Sequence, residues 1–151
     1  MSFPERGAHH TLHAGYHRRP AFDGLAMSQA PKQHASGFMT LVRDAKTRIK
    51  EVQAAEMPRL LKENSAIRVI DVREESEFAA GHVKGAEHIG KGVIERDVEK
   101  KHPDKNEPLY LYCGGGFRSA LAADALTKMG YTNAVSIDGG WGTLQSLLPV
   151  E

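Results

Sequence analysis

Residues 113–119 read Cys-Gly-Gly-Gly-Phe-Arg-Ser, and Cys113 is the only cysteine in the chain. A thiolate is a strong nucleophile, and its environment decides how much of it exists. Gly114, Gly115 and Gly116 permit backbone torsions that other residues avoid, so successive N–H groups can turn into one concave space. Arg118 adds a fixed positive charge at the rim of that space, and Ser119 a hydroxyl. The apolar run "EPLYLY" leads directly into Cys113, and "RSALAADALTKM" follows as a helix beginning near Arg118. In α/β sheets, ligands bind at the carboxyl ends of strands. The next helix turns its positive end toward the same place. A thiol there favours its ionised form, because the charge gains donors and a dipole. The stretch therefore reads as a preformed anion site with a nucleophile at its floor. A buried core cysteine is the plainer alternative, but a core position does not call for three glycines after it.

The rest of the chain must position that loop. Phe38, Leu41, Val42, Ala45 and Ile49 fit a helical stripe. "IKEV" is a short strand. "AAEMPRLLKEN" is a helix with Pro58 near its first turn, where a missing N–H is tolerated. "AIRVIDV" is a buried strand, "EESEFAA" one or two helical turns ending at Gly81, "AEHI" a further short strand and "VIERDVEK" an amphipathic helix. In the helix after the glycines, Leu121, Ala122, Ala125, Leu126 and Met129 face inward, and Gly130 stops it. "NAVSI" is the last strand. "WGTLQSLL" closes as a short helix with Trp141, Leu144 and Leu148 on one face. Strands alternating with helices predict an α/β fold: a mostly parallel, five-stranded central sheet with helices on both faces.

Composition narrows the function classes. The chain has 151 residues, about one domain's worth. Its formal charge of +1 advertises neither nucleic acid nor an anionic membrane as partner. One cysteine leaves no internal disulfide and no multi-cysteine metal site. No apolar run approaches a membrane span, and the N-terminus lacks the apolar stretch of a secretory signal, so a cytoplasmic protein is expected. Residues 1–36 are rich in His, Arg, Ala, Gly and Pro and poor in bulky aliphatics. They read as a disordered tail, with 37–151 as the folded domain. His9, His13 and His17 have i, i+4 spacing, which a helix would place on one face. Nothing around them favours a rigid helix, so a solvated tail without metal is expected.

Four motifs in order resemble the rhodanese family of sulfurtransferases over roughly residues 48 to 148: "IDVREESEF" (70–78), "GHVKGAEHI" (81–89), "YCGGGFRSA" (112–120) and "DGGW" (138–141). The resemblance implies a rhodanese-like fold and a Cys113 nucleophile that carries a persulfide. It implies that the N–H groups from Gly114 through Phe117 to Arg118 cradle the sulfur, and that Arg118 fixes the loop and helps bind an anionic donor. Asp71 and Arg73 match positions that buttress the site, a role a purely structural ion pair would also fill; Ser119 falls within the same loop motif. His82 matches a mostly structural position, and Trp141 is most simply core. The implied reaction moves sulfane sulfur from a small-molecule donor, thiosulfate or a persulfide, to a thiophilic acceptor such as a protein thiol, with no cofactor. Many loops of the family carry a cationic or polar side chain just after the cysteine, whereas Gly114 and Gly115 stand here. A sulfur-relay carrier or binding module is the alternative reading. A phosphatase or arsenate reductase is disfavoured, because the related phosphatase loop has five residues between Cys and Arg, and this one has four.

Overall fold

The computed structural model describes residues 33–151. The expected tail up to position 32, with His9, His13 and His17, lies outside the described residues. The elements run α1 (Ser36–Lys46), β1 (Lys50–Gln53), a 3-10 turn (Ala54–Glu56), α2 (Met57–Glu63), β2 (Arg68–Asp71), α3 (Glu75–Ala80), β3 (Glu87–His88), α4 (Ile94–Lys101), β4 (Leu109–Tyr112), α5 (Phe117–Lys128), β5 (Ala134–Asp138) and α6 (Gly140–Leu144). The five strands form one sheet in the order β1-β5-β4-β2-β3. Every pairing in it is parallel.

Alternation along β4 shows how the sheet is covered. Leu109 and Leu111 enter one cluster with Ile94, Val98, Ala122, Ala123 and Leu126, beneath α4 and α5. Tyr110 and Tyr112 point the other way, into a cluster with Met57, Ile137, Leu144, Trp141 and Leu148. This is the period-2 pattern of a strand buried on both faces. Trp141, Leu144 and Leu148 share one cluster, as their spacing predicts.

Two helical stripes differ from expectation. In α1 only Val42 and Ala45 are buried, and Leu41 is 60% exposed. In α5 the buried set is Ser119, Ala120, Ala122, Ala123, Asp124 and Leu126; Leu121, Ala125 and Met129 are half-buried. The reason is that α5 packs on the strands and on α1 at once. It therefore buries a wider arc, of small residues that allow close approach. Asp124 tolerates that burial because Arg48 grips it with two hydrogen bonds, 3.0 and 2.8 Å. Gly130 ends α5 at φ +100°, as a C′ residue should. No helix among the described residues is long and apolar enough to cross a membrane.

Candidate active site

Cys113 follows β4 directly and is 1% exposed. Its Sγ receives the Gly116 N–H at 3.1 Å and the Ser119 N–H at 3.3 Å. The thiol also lies 3.5 Å from Ser119 Oγ, toward which the S–H donates. Ser119 Oγ is 2.8 Å from Ser136 Oγ on the neighbouring strand β5, and both serines are fully buried. The sulfur is thus held by main-chain amides at the start of α5 and by a hydroxyl whose own partner is fixed. On ionisation the Ser119 hydroxyl can turn and donate to sulfur.

The loop's shape is imposed from the other side. Three successive carbonyls are tied down: Cys113 O accepts from Trp141 N at 2.7 Å, Gly114 O from Gly142 N at 3.1 Å, and Gly115 O from Gly139 N at 3.0 Å. In a trans peptide the C=O and the next N–H point in opposite directions. Fixing these three carbonyls on the 139–142 turn aims the N–H groups of Gly114, Gly115 and Gly116 away from it. The Gly116 N–H reaches Sγ on that side. The Gly-Gly-Trp segment is therefore the mould of the cysteine loop, a role beyond the core position expected for Trp141. A Cβ on Gly140 would overlap the Cys113 carbonyl oxygen and come within 3.0 Å of Gly114 C and O.

The three loop glycines are unequal. Gly116 has φ +118°, and a Cβ there would sit 2.9 Å from Asp138 Oδ1. Gly115 has no left-handed torsion and nothing within 4 Å of an added Cβ. The torsional need thus falls on Gly116, the N-cap of α5, and Gly115 supplies open space. The helix begins at Phe117, one residue before Arg118.

Arg118 lies at the rim, but its charge is not free. Glu77 of α3 accepts from Nη1 at 2.8 Å and from Nη2 at 3.1 Å. This bidentate bond holds the Glu77 carboxyl at about 2, against the smaller opposing cost of burial. It raises Arg118 in turn. Glu77 also accepts from the Glu74 N–H at 2.9 Å, closing a capping box on α3. It is one of two site residues missed from sequence; the Glu-x-x-Glu spacing of 74 and 77 was its signal. Ser136 was also missed, and its signal was a lone hydroxyl within the apolar run of a buried strand, Ala134 to Ile137.

Asp71 and Arg73 form a different kind of pair. They are 0% and 4% exposed. Arg73 Nε and Nη2 both reach the Asp71 carboxylate, Nη2 at 2.8 Å, and Nη2 also donates to Gly81 O at 2.6 Å. The guanidinium lies 4.7 Å from the Trp141 ring centroid. This pair locks β2, the end of α3 and α6 together beneath the loop, and it touches neither Cys113 nor Ser119. His82 stacks on Phe78 at 3.7 Å and bonds Phe78 O through Nδ1, a structural position.

A parallel sheet covered on both faces, with a thiol at a strand end gripped by main-chain amides, defines a cysteine-loop α/β protein. Residues 53–146 match the rhodanese-like domain family, and the chain belongs to that family. Thiosulfate sulfurtransferase GlpE of Pseudomonas aeruginosa strain LESB58 is 33% identical over 98 residues, 65% of this chain and 86% of that one. Among solved structures, a Rhodopseudomonas palustris CGA009 protein of unknown function, described as a possible tyrosine phosphatase, superposes with a TM-score of 0.68 at 25% identity. The match covers 81% of this chain and 99% of that one. An Escherichia coli rhodanese solved with anions gives 0.52 at 32% identity, covering 57% and 98%.

Proposed function

We propose that the protein is a sulfurtransferase working through a persulfide on Cys113. The observation that carries this reading is the grip on Sγ by the Gly116 and Ser119 amides, with the preceding carbonyls turned away. The Cys113 thiolate attacks the outer sulfur of a donor. The donor's S–S bond breaks and its remainder leaves with the electron pair: sulfite from thiosulfate, or a thiol from a persulfide. Cys113 then carries Sγ–S⁻. The N–H groups of Gly114 and Gly115, aimed on the same side as that of Gly116, stabilise the charge that develops on the added sulfur, as preorganised donors do in an oxyanion hole. An acceptor thiolate or cyanide removes that sulfur and regenerates the thiolate. Two half-reactions through a covalent intermediate give ping-pong kinetics.

The likeness to a protein described as a possible tyrosine phosphatase favours testing phosphoryl transfer beside sulfur transfer. Four residues between Cys113 and Arg118 make a small ring, suited to one sulfur atom, and the Arg118 guanidinium is occupied by Glu77. The test assays thiosulfate:cyanide transfer and p-nitrophenyl phosphate hydrolysis with wild type and Cys113→Ser. We expect sulfur transfer by wild type, none by a folded Cys113→Ser protein, and no phosphatase activity. Phosphate release without sulfur transfer would overturn the reading.

A further inference from the structure

Among the described residues, two cations flank the cysteine loop, and each is already paired with carboxylates. Arg118 stands beside Gly114, where an added Cβ would come within 3.3 Å of its Nη2. It is held bidentately by Glu77. On the other flank, Lys46 Nζ lies 5.5 Å from the Phe117 ring centroid. Lys46 pairs with Glu51 at 3.2 Å and stands 3.8 Å from Asp138 Oδ1. Asp138 in turn borders Gly116 and accepts from Gln53 Nε2 at 3.1 Å. Gly114 and Gly115 bring no side-chain charge of their own. Beside the loop, Phe117, Phe38 and His34 form an aromatic cluster, with centroids 4.9 Å apart for His34 and Phe117 and 6.4 Å for Phe38 and Phe117.

We infer that Glu77 is a specificity-determining residue, which by cancelling Arg118 tunes the site away from dianionic donors and toward an organic persulfide, R–S–SH. The inference rests on the sulfur-transfer reading above. Thiosulfate brings two negative charges and expels sulfite, which keeps both. The amides can hold charge on the transferred sulfur, but among the described residues the rim cations are already paired and offer the sulfonate group little charge. An organic persulfide needs none. Cys113–S⁻ attacks the terminal sulfur of R–S–SH, the donor S–S bond breaks, and R–S⁻ leaves. The product is Cys113–S–SH, whose proton passes to R–S⁻ to give Cys113–S–S⁻ and R–SH. One sulfane sulfur moves with no net oxidation, and the half-buried aromatic cluster offers R an apolar surface. Glu77 acts through Arg118 and is a positioning residue.

The test measures kcat/KM of the full chain for thiosulfate and for benzyl hydropersulfide, and takes their ratio. Glu77→Gln keeps an acceptor oxygen for the Glu74 N–H and removes the charge. The thiosulfate-to-persulfide ratio should rise on the order of tenfold, the effect of one uncancelled charge near a dianion in a partly solvated site. Thiosulfate turnover should be nearly independent of ionic strength in wild type and should fall with salt in Glu77→Gln, a response that a purely structural role would not produce. Gly115→Lys, at the open position, adds a cation independently of α3 and should raise the same ratio several-fold. An unchanged or lower ratio in both variants overturns the inference while leaving sulfur transfer intact. Failure of both donors to load sulfur on wild-type Cys113 overturns the sulfur-transfer reading and this inference with it.

Discussion

Two glycine-rich turns meet at the site, each running from the end of a parallel strand into a helix, and they use glycine for different reasons. After β5, Gly139 and Gly140 have φ of +91° and +46°, and Gly140 lies against the Cys113 carbonyl with no room for a Cβ. After β4, only Gly116 needs a left-handed torsion, and Gly115 opens onto empty space. The first turn is the mould and the second is the cast. Rigidity is concentrated in the segment without chemical groups, and the segment with the thiol keeps an open side.

The mould should be the more fragile of the two. Gly140→Ala combines a torsion that L residues rarely adopt with overlap against backbone that cannot yield. It should cost about 3 kcal/mol or more, seen as a large fall in melting temperature. A melting temperature within a few degrees of wild type would break the comparison. Gly116→Ala comes next. It meets the same torsional penalty, but its closest clash, at 2.9 Å, is with the end of the Asp138 side chain, which can swing, and the Asp138 Cα at 3.2 Å has to give by only a few tenths of an ångström. About 2 kcal/mol is expected, and the displaced Gly116 N–H should slow loading of Cys113. Gly115→Ala should fall within about 0.5 kcal/mol of wild type by chemical denaturation. If Gly115→Ala were the worse of these two, the assignment of strain to Gly116 would be wrong.

Acid gives a smaller effect that probes the loop's tie to α3. The Glu77 carboxyl is held at about 2 by Arg118, below its ordinary 4.5. A depressed carboxyl stabilises the fold fully above its unfolded value and loses that contribution as pH falls toward the folded one. The stability gap between wild type and Glu77→Gln should therefore be constant from pH 7 to about 5 and close between about 4.5 and 2. Glu77 is partly exposed, so solvent keeps the gap modest. A gap that persists unchanged at pH 2.5 would mean that Glu77 acts through something other than its charge.

Much of this was legible in the residues. Alternating strand and helix signals predicted the parallel sheet, and the single cysteine ahead of three glycines marked the strand-to-helix junction. Periodicity failed at α5, because a helix packed on two sides buries a wider arc than one stripe. Local reading could say that glycines make a turn, but not which glycine carries the torsion. That depends on Asp138 and on the 139–142 amides, which arrive from another part of the chain. Arg118 was legible as a rim cation. Its cancellation by Glu77 was not, because the two are 41 positions apart.

Sulfur transfer through this loop requires that Cys113 itself carry the transferred sulfur. Intact mass spectrometry of the full chain after incubation with thiosulfate, and separately with benzyl hydropersulfide, tests it most directly. One sulfur atom should be added from at least one donor, mapped to Cys113, removed by cyanide and absent in Cys113→Ser. No added sulfur from either donor on folded wild-type protein, or sulfur retained by Cys113→Ser, would contradict it.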